Sequence, residues 1–154
     1  MREEETSHFA RRTAPEGART LVVGVDGSDT SWRAAAYAVG IVRRQGGNSR
    51  IVFVYVAPGP GLKALTPQVV PAAAEASALT LEDITQRLKG SMDDIDWEIR
   101  SSTGSAFAEL KRIATQLRAD TVVVGASSGM AHRVAGSLAA RLVKTRRWPV
   151  IVVP

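Results

Sequence analysis

Residues Thr121–Thr145 read "TVVVGASSGMAHRVAGSLAARLVKT". A β-branched run, Thr121 to Val124, opens into a loop carrying Gly125, Gly129 and Gly136, and the loop opens into helix-forming residues from about Ser137 to Arg146. Strand, glycine loop and helix in that order form the unit from which parallel sheets are built. The unit recurs upstream. "TLVVGVD" predicts a buried strand from Leu21 to Val25, "GSDTS" offers Ser28, Asp29 and Thr30 as N-caps, and Trp32, Ala35, Ala36, Val39 and Val42 keep helical spacing to about Arg44. Gly46-Gly47 stops that helix. "RIVFVYV" is a second apolar strand, and a helix follows from Ala72 to Lys89. "IDWEIRS" alternates apolar with polar residues, as a strand with one wet face near a sheet edge does. "GSAFAELKRIATQLRA" places Phe107, Leu110, Ala114 and Leu117 on one helix face, and "WPVIVVP" is the last strand. The expected fold is therefore a three-layer α/β sandwich, a parallel sheet with helices on both faces.

The chain has 154 residues, enough for one core, and 45% of them are hydrophobic, which fits a packed interior. Residues 1–19 mix charges with Ala, Pro and Gly without a period and are read as a flexible N-terminal tail; residues 20–154 are read as one domain. "APGPGLKALTPQVVP", residues 57–71, is a long proline-rich loop of the kind that covers binding sites. No apolar run approaches the roughly 18 residues of a membrane span, and the N-terminus lacks the apolar centre of a signal peptide, so a cytoplasmic location is the default. Without Cys, disulfides, thiolate chemistry and Cys-ligated zinc are excluded. His8 and His132 are the only histidines, and neither metal-ligand spacing nor a nucleophile–base pair is visible. Catalysis is not expected as a main role.

The net charge of +5 is unevenly placed. From Thr121 to Pro154 there is no acidic residue, but there are Arg133, Arg141, Lys144, Arg146 and Arg147. An anionic partner and a solvated basic face both account for this. No nucleic-acid recognition motif accompanies these residues, so nucleic acid is not expected as a partner.

Two readings of the glycine loop stand side by side. Consecutive amides of a glycine-rich turn, the start of the following helix, the hydroxyls of Ser127, Ser128 and Ser137 and the guanidinium of Arg133 together suit a phosphate. Alternatively Gly125 only turns the chain out of its strand and Gly136 only begins a helix. The spacing is neither a Walker loop nor a dinucleotide fingerprint. Asp26, where the chain leaves the first strand, is similarly open: it can accept from ribose hydroxyls or an amino group, or from the amides of its own turn.

The order of "LVVGVDGSDTSWRAAAYA", "ADTVVVGASSG", "GSLAARLV" and "WPVIVVP" resembles the universal stress protein family over about residues 20–154. The resemblance implies a Rossmann-like sheet of five parallel strands in the order 3-2-1-4-5, with Asp26 facing the glycine loop. It implies that Asp26, between Val25 and Gly27, contacts a nucleoside, that Tyr55 and Val56 offer backbone groups to adenine, and that a phosphate loop runs from Gly125 to Gly136-Ser137; together with Ala126, Ser127, Ser128, Gly129, Arg133 and Leu138 these are the residues expected to hold phosphate. The ligand would be ATP or AMP, with or without Mg²⁺, in a stress-response or signalling protein. A homodimer through the final strand, Pro149–Pro154, is also implied. The loop departs from the family pattern of Gly, two residues, Gly, nine residues, Gly-Ser or Gly-Thr. Ser128 stands where the second glycine belongs, and ten residues separate Gly125 from Gly136 instead of twelve. That departure supports a different expectation, a dimer that binds no nucleotide and acts as a regulatory interaction module.

Overall fold

The structure is a computed structural model that describes residues 19–46, 48–59, 69–126 and 138–154. The expected tail up to residue 18, most of the proline-rich loop and the loop from Ser127 to Ser137 lie outside the described residues. The described elements alternate along the chain: β1 (Thr20–Gly24), α1 (Asp29–Arg44), β2 (Arg50–Pro58), α2 (Val69–Lys89), β3 (Asp96–Gly104), α3 (Ala106–Gln116), β4 (Thr121–Gly125), α4 (Leu138–Lys144) and β5 (Val150–Val153). The five strands pair in parallel in the order β3-β2-β1-β4-β5.

Strand periodicity makes the layers. Successive side chains point to opposite faces, so one apolar run feeds two cores. Leu21, Val23, Ile51 and Phe53 pack on one face with Ala34, Ala38 and Val42 of α1 and Ile84 and Leu88 of α2. Val22, Val52, Val54, Val122 and Val124 pack on the other with Leu110, Ile113 and Ala114 of α3 and Leu142 of α4. The residues of β1 and β4 are hidden from both sides, which is why both strands are continuous apolar runs rather than alternating ones. β3 is an edge, as its alternation suggests. Trp97 and Ile99 join the first core, and Trp97 meets Phe53 edge-on with ring centroids 6.1 Å apart. On the wet side Glu98 accepts from Arg50 and Arg100 at 3.2 and 2.7 Å.

Several boundaries differ from the sequence expectation. β2 and β3 run on to Pro58 and Gly104, because those two strands keep pairing to their ends. α2 begins at Val69 rather than Ala72, with Pro71 inside its first turn, where no intrahelical N–H partner is needed. Arg19, placed in the tail by the sequence, is tied to the sheet: its amide donates to Asp120 Oδ2 at 3.0 Å and its carbonyl accepts from Arg50 at 2.7 Å.

Candidate functional site

The strand order turns round between β1 and β4. From β1 the chain lays β2 and β3 on one side, then crosses to β4 and β5 on the other. The helices following β1 and β4 therefore diverge to opposite faces, and a crevice is left at the carboxyl ends of these strands. A cavity of about 450 Å³ occupies that place. Its floor is Gly24 and Val25 of the β1 end with Val54 and Val56 of β2. One wall is Asp26 and the start of α1, with Ser28, Thr30 and Ser31; the other is Val124, Gly125 and Ala126. Ala106 and Leu110 of α3 and Leu138 and Ala139 of α4 complete it.

The acidic wall is held by its own turn. Gly27 has φ 84°, which a side chain disfavours, and this lets the chain fold back so that Ser28 N–H donates to Asp26 Oδ1 at 2.9 Å. Ser28 then caps α1, its hydroxyl accepting from Ser31 N–H at 3.3 Å. The Ser31 hydroxyl donates to Ser28 O at 2.9 Å and accepts from Asp26 N–H at 3.3 Å. The local role of Asp26 and a binding role are thus not exclusive: Oδ1 accepts from the turn, and the same carboxylate lines the cavity.

Partial burial pushes the Asp26 carboxyl up, but the hydrogen bonding of Ser28, of Ser31 and of its own amide outweighs that, and the net displacement is below the ordinary 3.8. A group with a lowered folded-state value contributes stability in full above its unfolded value and loses it as pH falls through the folded one. Asp26 is therefore a carboxylate throughout neutral and mildly acidic solution. Between roughly pH 5 and 3 the wild type should lose thermal stability faster than Asp26→Asn, read as melting temperature against pH. Parallel curves would contradict the assignment.

Gly125 is placed by contact rather than by turning. A Cβ built there would lie 2.6 and 2.7 Å from the carbonyl carbon and oxygen of Thr30 and 2.8 Å from Ser31 N. The end of β4 thus runs directly against the first turn of α1, and only glycine fits between them. α3 also begins at the rim, capped by Ser105. Two helix N-termini accordingly present the positive ends of their dipoles near the cavity.

Of the residues expected from sequence, Val25, Asp26, Val56, Gly125, Ala126 and Leu138 line the cavity. Gly27 shapes the turn without lining it, and Tyr55 is buried in the core on the α1–α2 face. Ser127, Ser128, Gly129, Arg133, Gly136 and Ser137 lie outside the described residues. Thr30, Ser31, Ala106 and Leu110 are lining residues that the sequence reading did not assign to the site. For Ser31 a signal existed, its spacing of three from Ser28 at a helix start; for Ala106 and Leu110 none did, since only the packing of α3 brings them there. Among the described residues no three metal-ligating side chains come together, and no helix is long and apolar enough to cross a membrane.

Comparison with known proteins agrees with this architecture. No curated protein sequence matches the chain significantly. Among solved structures, universal stress protein UspA from Lactobacillus plantarum superposes with a TM-score of 0.71 at 23% identity, over 88% of this chain and 97% of that one. A universal stress protein solved in complex with cAMP has a TM-score of 0.59 at 25% identity, over 88% and 96%. A family member from Arabidopsis thaliana solved with AMP bound has a TM-score of 0.60 at 19% identity, over 88% and 90%. The model of the universal stress protein family matches residues 17–154, the whole sheet with all its helices. The chain belongs to the universal stress protein family.

Proposed function

We propose that this chain binds an adenine nucleotide, AMP or ATP, in the crevice between β1 and β4, and serves as a dimeric stress-response or signalling protein in the cytoplasm. The observation that carries the reading is the cavity itself: a site of about 450 Å³ at the reversal of strand order, with a carboxylate on one wall and a glycine-tight strand end on the other. The relatives solved with cAMP and with AMP support the adenine assignment. In this reading the Asp26 carboxylate accepts from the nucleoside. Backbone groups near Tyr55 and Val56 meet the base, and Gly125 and Ala126 open the segment that holds phosphate. Ser127, Ser128, Gly129, Arg133, Gly136, Ser137 and Leu138 are the residues proposed for that segment, on sequence. Mg²⁺ would arrive with the phosphates of ATP, which supply most of its ligands, rather than be caged by the protein. The dimer would form through β5, an edge strand whose Val152 is exposed.

Native mass spectrometry of the purified chain tests ligand and assembly together. The expected spectrum shows twice the 16.4 kDa chain mass, with an added mass matching adenine nucleotide that is released on denaturation. A dimer that carries no nucleotide and takes up none from added AMP or ATP would instead favour the regulatory interaction module, and a monomer would remove the β5 pairing.

A further inference from the structure

Two helices on one face of the sheet end in the same unusual way. α3 closes at Gln116 and α4 at Lys144, and the residue two places beyond each, Arg118 and Arg146, has a left-handed backbone with φ of 49° and 54°. They are the two non-glycine residues with positive φ among the described residues. Helices that end in this conformation usually place glycine there, because a Cβ crowds the following carbonyl. A cation suits a helix C-terminus, and Arg118 stands just past the end of α3, whose last turn holds no basic residue; α4 already has Arg141 and Lys144 in its last turn, so Arg146 is surplus to that need. Strained positions that keep a long charged side chain point to a use for the charge.

The charge around them is one-sided. Residues 105–154 hold eight Lys and Arg against Glu109 and Asp120. Both carboxylates are engaged, Glu109 with Arg112 at 2.6 Å and Asp120 with the amides of Arg19 and Thr20. Lys111, Arg118, Arg141, Lys144, Arg146 and Arg147 are exposed and make no ion pair among the described residues. Lys111 of α3 and Arg141 of α4 converge on one ring, lying 5.9 and 4.0 Å from the centroid of Phe107. Both helices return from the carboxyl ends of parallel strands, so their C-termini share one end of the sheet. Arg118 is thereby brought to the same end as Arg146 and Arg147.

We propose that the α3–α4 face binds the phosphodiester backbone of nucleic acid without reading its sequence. Cations spread over two adjacent helices, without ion-pair partners among the described residues, match a repeating line of phosphates. An anionic bilayer would also take apolar side chains between the cations. On this face Val143 is the one exposed large apolar side chain among the described residues, while Leu110 and Leu142 are buried beneath it. The sequence alone does not lead to this expectation, because spacing along the chain shows neither the convergence on Phe107 nor the left-handed arginines.

Fluorescence anisotropy of a labelled DNA duplex of about 20 base pairs with the full chain tests it. Binding should be in the micromolar range at about 50 mM salt and weaken linearly on a log–log plot, by a slope near 0.9 per phosphate contacted. The double variant Arg118→Gly/Arg146→Gly should melt at or above the wild-type temperature, bind at least roughly tenfold more weakly and show a slope smaller by about 2. Asp26→Asn should bind the duplex as the wild type does, separating this face from the cavity. Any one of four results would overturn the proposal: no binding at low salt, unchanged affinity in the double variant, a lowered melting temperature in it, or equal binding to phosphatidylserine vesicles or poly-glutamate.

Discussion

Gly125→Val should destabilise the fold by about 3 kcal/mol, at the upper end of the usual cost of overpacking, and lower the melting temperature by roughly 6–12 °C for a domain of this size. The reason is backbone against backbone. The added Cβ meets the Thr30 carbonyl and the Ser31 amide at 2.6–2.8 Å, and none of these atoms can rotate away as a side chain would. Either α1 lifts at its N-terminus or the end of β4 drops from its pairing with β5 at Val153. Both movements open the wall that carries Asp26, so the variant should also lose nucleotide binding. Gly24→Ala is the control. Its Cβ meets the Leu110 and Val124 side chains at 3.3 Å, and these can give by a few tenths of an ångström. That variant should cost under about 1.5 kcal/mol, the range of well-tolerated core changes. Equal losses in the two, measured by thermal and urea unfolding, would show that the approach of β4 to α1 is not what holds the crevice.

The second large effect concerns the ligand. Nucleotide at about 100 times its dissociation constant should stabilise the wild type by about 2.7 kcal/mol, a rise of roughly 5–10 °C. Asp26→Asn should retain the turn, since an amide oxygen still accepts from Ser28 N–H, while losing the charge. A hydrogen bond to a charged group is worth about 1.5–3 kcal/mol, so most of the nucleotide-induced rise should vanish while the melting temperature without ligand hardly changes near neutral pH. Asp26→Ala should lose the rise as well, and in addition about 1 kcal/mol of stability from the broken turn. If both variants keep the full rise, Asp26 serves the turn alone.

Much of the fold is legible in the sequence because burial on both faces leaves a plain signature. β1 and β4 can be nothing but apolar where helices cover both sides, and the recurrence of strand and helix then dictates a parallel sheet. The last third of β3, Ser102 to Gly104, is not legible. It is polar at an edge and is held by backbone pairing to β2, which no side chain announces. Pro71 misleads for a related reason: it disfavours a helix interior but not a first turn, and the sequence does not say which it occupies. At the site, Asp26 and Gly125 stand out by position, yet what Gly125 does is tertiary. A glycine that turns the chain and a glycine pressed against another helix read alike until α1 is laid beside β4. Arg146 is legible as part of the basic excess, but the left-handed backbone of Arg118 and Arg146 is not, since they stand where glycine is the expected sign of a helix end.

Isothermal titration calorimetry of AMP and ATP into the wild type and Asp26→Asn tests the central claim most directly. The account predicts saturable binding of at least one nucleotide, one site per chain, and an affinity at least roughly tenfold weaker in Asp26→Asn. No saturable heat from either nucleotide at about millimolar concentration, with thermal stability equally unmoved, would contradict it.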